Sequence, residues 1–249
     1  MNAVRVCLTQ CLFVLCCLSE VVHTDEINMA FNDTIPPYIF PETDNGIEMD
    51  IIREALAFKG HTLKTRYVPL ARMPIAFSEG EVDAVMSDFG QDLTTIGGFY
   101  AEPAVIFDNS LFSLKKRDFL IEKPEDIAGL RIISFFGADK RFPLWLAKPN
   151  EAGNFHETYK QKLQILTLFA DRYDLVLSDR SIFYYFLSQL RKEGKITPQA
   201  ISEHRVFVEK TRDYRPVFRN KKICDDFNEG LQQLKTSGRY QAIYDHYLN

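Results

Sequence analysis

Two Ser-Asp pairs carry the side chains of this sequence that are best placed to bind a small molecule. Ser87 and Asp88 end the run DAVMSD, and Ser178 and Asp179 end the similar run DLVLSD further along the chain. Each pair closes an apolar run typical of a buried strand, and ligands of open α/β sheets lie outside the carboxyl ends of the strands. The simpler alternative is that each Asp only caps the following helix. The repetition favours one hydroxyl and one carboxylate on each side of a ligand-binding gap.

Three further residues have groups suited to recognition. Tyr38, in FNDTIPPYIF, follows two prolines just beyond a predicted strand and forms a rigid aromatic corner, or else only packs in a turn. Arg72 carries a planar guanidinium that could pair with a carboxylate, or is an ordinary solvated helix residue. Gly137, in SFFGADK, also follows a predicted strand, and backbone N–H groups at a helix start bind anions.

Signatures of catalysis and of metal or cofactor binding are missing from the sequence. It contains no GxSxG, HExxH, GxGxxG or P-loop motif, and its five histidines have no metal-ligand spacing. No metal, cofactor or catalytic residue is therefore predicted, although Asp88 and Asp179 in a closed cleft could do acid-base work. The net charge of −4 is too balanced for a nucleic-acid-binding surface.

Residues 1–24 form a predicted secretory signal. Arg5 precedes the apolar run CLFVLCCL, which is shorter than the about 20 residues of a membrane-spanning helix. Four of the five cysteines lie in this leader, so Cys224 alone remains after it and can form no internal disulfide. A buried N-terminal helix and a lipid anchor on Cys16 or Cys17 are alternatives, and Leu15 makes the anchor less favoured because a small residue is needed there. The sequence thus predicts export to the periplasm.

The rest of the chain has the pattern of two successive α/β units. Each alternates β-rich runs with amphipathic stretches, which predicts a mainly parallel sheet flanked by helices. The first unit has strands at 26–32, 61–68 and 82–87 and helices at 46–60 and 69–80; the second has strands at 130–136 and 173–179 and helices at 156–170 and 180–194. Strand-like segments at 104–118 and 204–210 predict a paired, hinge-like crossing, and two helices at 223–248 return to the first unit.

Several segments, in this order, resemble the extracellular solute-binding proteins of the polar amino-acid type, family 3, which serve ATP-driven importers. They are PPYIF with NGIEMDIIREALAFKG, YVPLARMPIAFSEGEVDAV, PEDIAGLRIISFFGADK, YDLVLSDRSIFYYFL and LQQLKTSGRYQAIYDHYL. The resemblance implies a two-lobed, type II periplasmic binding protein fold, with residues 25–112 and 208–249 in lobe 1 and residues 113–207 in lobe 2. It puts the family's ammonium-binding aspartate at Asp179, and other ligand contacts at or beside Tyr38, Leu70, Ser87, Asp88 and Gly137.

Two departures from the family pattern concern the ligand. The loop 90–103, where amino-acid binders of the family carry an arginine for the ligand's α-carboxylate, has no arginine, and Thr94 nearest that position offers only a neutral hydrogen bond. Leu70 stands where a stacking aromatic residue is common. A standard α-amino acid therefore fits only if Arg72 supplies the missing positive charge.

The predicted function is a monomeric receptor that closes on a small amine-bearing or zwitterionic solute. It passes the solute to the membrane permease of an ABC importer, without catalysis and without contact to nucleic acid. Two alternatives on the same scaffold remain open: a periplasmic cyclohexadienyl dehydratase, and a stand-alone sensor that reports its closed state to a membrane kinase.

Overall fold

The computed structural model describes residues 24–32, 35–86, 91–207 and 214–248. Its strands are β1 (Glu26–Phe31), β2 (Thr62–Tyr67), β3 (Ala84–Met86), β4 (Phe99–Tyr100), β5 (Asn109–Leu114), β6 (Ile132–Ser134), β7 (Phe155–Glu157), β8 (Leu175–Asp179), β9 (Ile201–His204) and β10 (Pro216–Phe218). Its helices are α1 (Ile47–Ala57), α2 (Met73–Ser78), α3 (Ala138–Arg141), α4 (Pro143–Glu151), α5 (Gln161–Phe169), α6 (Arg180–Lys192), α7 (Lys221–Thr236) and α8 (Arg239–Leu248).

The strands form two mixed five-stranded sheets, which confirms the predicted fold. The first sheet has the order β2-β1-β3-β10-β4, and the second has the order β7-β6-β8-β5-β9. In the first, β1 runs parallel to β2 and β3, whereas β10 is antiparallel to β3 and β4. In the second, β6 runs parallel to β7 and β8, whereas β5 is antiparallel to β8 and β9. We call the first sheet with α1, α2, α7 and α8 the first lobe, and the second sheet with α3 to α6 the second lobe.

The second lobe differs from the sequence prediction in three respects. The helix predicted at 156–170 begins only at Gln161, because Phe155–Glu157 pairs in parallel with β6 as strand β7. Edge pairing in the sheet thus overrides the local helical pattern. Helices α3 and α4 were not predicted. The division expected between residues 112 and 113 falls inside β5, all of which belongs to the second sheet.

The two predicted crossing segments do lie side by side. Strand β5 pairs with β9, and Leu111 lies opposite His204. The second segment leaves the sheet after His204, and its remainder, 208–210, falls outside the described residues. Just before that gap, the ring of Phe207 meets the indole of Trp145 in α4 edge to face, with 5.5 Å between ring centroids.

The C-terminal helices pack on the first lobe, as the sequence predicts. Helix α7 lies so close to α1 that a Cβ on Gly230 would overlap the carbonyl oxygen of Ala55. Buried His61 joins the same helix to the start of the first sheet: its Nδ1 accepts a hydrogen bond from the backbone N–H of Asp25 at 3.2 Å, and its Nε2 lies 3.0 Å from Asp226 Oδ2. These contacts fix the returning C-terminus on the strand that begins the lobe.

The predicted leader, residues 1–24, lies almost entirely outside the residues that the structure describes. Within the described ranges, no helix is both long enough and apolar enough to cross a bilayer.

Candidate functional site

A cavity of about 570 Å³ lies between the two lobes. The lining residues that the structure describes are Asn32, Ile35, Phe107, Asn109, Phe135, Phe136, Gly137, Lys140, Arg141, Gln161, Ser178, Asp179, Ile182 and Tyr214. Asn32 directly follows β1, Phe135 directly follows β6, and Asp179 is the last residue of β8. The carboxyl ends of parallel strands from both sheets therefore face the cavity, which is where open α/β sheets bind ligands.

Among the described lining residues, only Asp179 has an acidic side chain. It caps α6, and its Oδ1 accepts a hydrogen bond from the backbone N–H of Ile182 at 3.1 Å. Its Oδ2 accepts one from the backbone N–H of Asp108 at 2.8 Å. Burial raises the pKa of Asp179 to about 6, against the opposing effect of these donors. At neutral pH the carboxyl group is therefore mostly ionised. A bound cation would stabilise this carboxylate in place of the hydration that it lost on burial.

Tyr38 connects the lobes at this carboxylate. Its hydroxyl donates a hydrogen bond to Asp179 Oδ1 at 3.1 Å, although the two residues belong to different lobes. Tyr38 is 1% exposed, and burial, together with the adjacent carboxylate, raises the pKa of its hydroxyl. The pair is a charge-assisted bond shielded from water, which is stronger than a neutral one. It joins the two lobes directly beside the cavity.

Behind the first-lobe wall lies a second buried carboxyl group, that of Glu48. The hydroxyl of cavity-lining Tyr214 donates to Glu48 Oε1 at 3.2 Å, and Glu48 Oε2 has no hydrogen-bond partner in the part of the chain that the structure describes. Full burial raises the pKa of Glu48 to about 8. The ring of Phe107 lies between the rings of Tyr214 and Tyr38, at 5.3 Å and 5.0 Å. Sequence reasoning missed Glu48, because an acidic residue in the first turn of a helix is normally exposed.

Two cations of the short helix α3, Lys140 and Arg141, line the cavity on the second lobe. Sequence reasoning did not single them out, although the segment SFFGADK containing Lys140 was noted for anion binding through Gly137. Gly137 has a left-handed φ of 84°, which lets the chain turn from β6 into α3 and brings both cations to the strand end. The lining thus holds positive and negative charge.

Arg72 and Thr94 lie away from the cavity lining. The guanidinium of Arg72 is exposed and binds Glu81 Oε1 at 2.9 Å. The hydroxyl and backbone N–H of Thr94 both donate to Asp92 Oδ1, at 2.6 Å and 2.9 Å, which caps a short 3₁₀ helix. Neither residue is among the described residues that line the cavity.

The remaining predicted site residues divide into three groups. Ser178, Asp179 and Gly137 line the cavity. Ser87 and Asp88, the first Ser-Asp pair, lie outside the described residues. Leu70 begins a 3₁₀ turn, Leu70–Arg72, and its side chain is also outside the described part.

No metal site is found among the described residues. Nowhere in those ranges do three or more His, Cys, Asp or Glu side chains come together in a way that could hold an ion.

Two α/β lobes with a polar cavity between the carboxyl ends of their strands define a two-lobed binding protein of the type II periplasmic fold. The chain belongs to the bacterial extracellular solute-binding proteins, family 3, because the sequence model of that family matches residues 27–249. Among curated protein sequences, none matches this one.

Solved structures agree with this fold. A histidine kinase sensor domain with similarity to periplasmic binding proteins is 20% identical, with a TM-score of 0.63, over 90% of this chain and 96% of that one. The GluR0 ligand-binding core in complex with L-glutamate is 16% identical, with a TM-score of 0.69, over 90% and 98%. A probable amino-acid ABC transporter extracellular-binding protein from Bacillus subtilis is 16% identical, with a TM-score of 0.65, over 91% and 99%.

Proposed function

We propose that this protein is a periplasmic receptor that captures a small amine-bearing or zwitterionic solute by closing its lobes and delivers it to an ABC-type permease. The observation that carries the proposal is the cavity lining, where the carboxylate of Asp179 faces the same space as the cations of Lys140 and Arg141. Opposite charges in one closed cavity complement a molecule that carries both an ammonium and an anionic group. Family membership supports a solute as the ligand.

Asp179 is the group that we assign to the ammonium. Its carboxylate accepts hydrogen bonds from Tyr38 and from the backbone N–H groups of Asp108 and Ile182, and no cationic side chain among the described residues is bonded to it. Burial disfavours its charge, so a bound ammonium would relieve that cost. Arg72, which the sequence suggested for the anionic end, is held on the surface by Glu81. Lys140 and Arg141 take that role in the proposal.

Closure is proposed to depend on the bond between Tyr38 and Asp179. Because each partner belongs to a different lobe, this bond forms only when the lobes approach. A solute that neutralises Asp179 and meets the cations of the same lobe gains water-excluded contacts in the closed state. It therefore shifts the population toward closure by its differential affinity for the two states.

A thermal-shift screen of the purified protein tests the ligand class. The panel contains amino acids, polyamines, dicarboxylates and sugars. A ligand at about 100 times its Kd stabilises by about 2.7 kcal/mol, and each kcal/mol raises Tm by about 2–4 °C for a chain of this size. We expect amine-bearing compounds to raise Tm, and hits confined to dicarboxylates or sugars would contradict the proposal. Incubation with prephenate and arogenate checks for the dehydratase reaction.

A sensor is the second candidate, because the same fold occurs in the histidine kinase sensor domain described above. Deletion of the coding sequence distinguishes the two functions once a solute is known. Loss of uptake of that solute by the cells supports delivery to a permease. An unchanged uptake rate with loss of the transcriptional response to the solute supports the sensor instead.

A further inference from the structure

Two aromatic rings lie stacked and exposed where the cavity opens on the second lobe. The rings of Phe136 and Tyr159 have centroids 4.6 Å apart and an interplanar angle of 19°. Phe136 is 60% exposed and Tyr159 is 77% exposed. Scattered exposed apolar residues are ordinary, but adjoining ones beside a cavity often mark a binding surface. When another planar group stacks on an aromatic face that is open to water, the contact stabilises the complex.

The strand order explains why these rings meet at this edge. Phe136 lies two residues after the end of β6, and Tyr159 lies two residues after the end of β7. These strands are parallel neighbours, with Ser134 opposite Glu157. Their carboxyl ends share the sheet edge at which β8 presents Asp179. Of the two rings, Phe136 lines the cavity, and Tyr159 stacks on it.

The charges near this ring pair restrict the kind of planar group that fits. Lys140, four residues after Phe136, also lines the cavity, and no ion pair of its ammonium is found with any residue that the structure describes. Arg141 adds a second positive charge to the same wall. A guanidinium that stacks on Phe136 would be repelled by both cations. An anionic ring would be attracted by them, and an uncharged ring would be unaffected. The amide of Gln161 is available to polar ring substituents.

We propose that Phe136, supported by Tyr159, is a stacking platform for an uncharged or anionic planar group of the solute, so that the preferred solutes carry an aromatic ring. This inference rests on the proposed function for the position of the amine at Asp179. The ring then lies on the second lobe, on the same wall as the charged groups.

Calorimetry with four matched probes tests the platform. L-phenylalanine and L-alanine differ in the ring, 3-phenylpropionate has the ring without the amine, and L-arginine carries a cationic planar group. The variants are Phe136→Ala and Tyr159→Ala. The matched control is Phe58→Ala, which removes a 49% exposed phenylalanine of the first lobe that does not line the cavity. Circular dichroism verifies that each variant folds.

We expect the native protein to bind L-phenylalanine more tightly than L-alanine or L-arginine. Phe136→Ala should weaken L-phenylalanine binding roughly tenfold and Tyr159→Ala roughly threefold, given the usual gain from aromatic pairs. Both should leave L-alanine unaffected, and Phe58→Ala should change neither affinity. Equal affinities for L-phenylalanine and L-alanine, or equal effects of Phe136→Ala and Phe58→Ala, would overturn the platform.

The probes also separate failure of the platform from failure of the proposed function. If 3-phenylpropionate binds as well as L-phenylalanine and both depend on Phe136, the platform is supported and the amine site at Asp179 is wrong. If L-alanine or polyamines bind but no ring-bearing probe binds more tightly, the platform is wrong and the proposed function stands. If no ring-bearing probe binds at all, the platform is overturned regardless of the amine.

Discussion

The described parts of the two cavity walls differ in charge, although the carboxyl ends of strands contribute to both. The described residues of the first-lobe wall, Asn32, Ile35 and Tyr214, carry no charge. The second-lobe wall holds the carboxylate of Asp179 and the two cations of α3. The first lobe has a carboxyl group nearby, but Glu48 is buried behind Tyr214 rather than exposed to a solute. Among the described residues, the cavity-lining strand ends of the two lobes thus carry different chemistry.

We infer from this difference that the second lobe determines solute binding and the first lobe determines closure. Among the described lining residues, every charged group that a solute can meet in an open cleft belongs to the second lobe. The first lobe then adds a hydrogen-bonding wall and the hydroxyl of Tyr38, which reaches Asp179 only across the gap. Substitutions in the second lobe should therefore remove affinity, and those in the first lobe should change closure and stability.

The largest expected effect comes from Asp179→Asn. Asparagine keeps the helix-capping ability of this position but removes the charge that we assign to the ammonium. Truncating one partner of a buried charge pair costs about 2–5 kcal/mol of affinity, or roughly 30-fold to several thousand-fold. Calorimetry with an amine-bearing solute measures the loss. The control Asp118→Asn makes the same change at an exposed position whose φ of 50° asparagine also adopts. Full affinity in Asp179→Asn would remove the ammonium site.

The next effect is on the pH dependence of stability through Glu48. Its pKa in the folded chain, about 8, lies above the ordinary value of 4.5, so folding favours the protonated form. The contribution of Glu48 to the free energy of unfolding is therefore complete below about pH 4.5. It is lost as the pH rises through about 8, and the total decline is a few kcal/mol. Glu48→Gln should lack this decline in urea unfolding between those limits. Glu54→Gln, at a half-exposed position of the same helix that pairs with Arg239, is the control. Identical pH profiles for wild type and Glu48→Gln would contradict the assignment.

Removal of the hydroxyl in Tyr38→Phe should weaken closure. A hydrogen bond to a charged group contributes about 1.5–3 kcal/mol, so solute binding should weaken by roughly tenfold or more. Small-angle X-ray scattering without solute should show a more open average shape. Tyr67→Phe breaks a hydrogen bond to Asp44 within the first lobe, and should leave both readouts unchanged. If the two variants behave alike, the bond between the lobes has no part in closure.

The smallest effects compare two cations, Arg72 and Lys140. Arg72 forms an exposed ion pair with Glu81, so Arg72→Ala should change stability by less than about 1 kcal/mol and leave affinity unchanged. Lys140→Ala should weaken carboxylated solutes by a few-fold and spare simple amines such as polyamines. Calorimetry with one solute of each kind measures both variants. Selective loss of carboxylated solutes in Arg72→Ala would restore the role that the sequence suggested for it.

Sequence patterns predicted the fold better than they predicted the site. Helices α1, α6 and α7 have regular apolar stripes that bury one face, and their periodicity survives in the structure. Helices α3 and α4 were missed because Pro143 and Pro149 interrupt the local pattern. Strand β7 was missed because its existence depends on pairing with β6, a contact that no local pattern records.

Prediction of the site requires contacts between residues that are far apart in the sequence. Strand-end logic led to Asp179 and Gly137, which line the cavity, because that rule follows from the sheet topology itself. The bond between Tyr38 and Asp179 joins two lobes, and only their packing brings these residues together. Arg72 has the right chemistry for a carboxylate but faces Glu81, since the helix turn directs it to the surface. Residue type alone did not reveal that direction.

The edge-to-face contact between Trp145 and Phe207 gives the protein a built-in optical reporter. Trp145 is the one tryptophan in the sequence, so intrinsic emission excited at the indole absorption band has a single origin. Its neighbour Phe207 lies three residues after β9 of the second sheet, and the chain is next described at residue 214, in the first lobe. Reorientation of the segment that contains Phe207 alters the surroundings of the indole. Lobe movement can therefore be followed by stopped-flow fluorescence on the unlabelled protein, in the time domain where association and closure appear as separate phases.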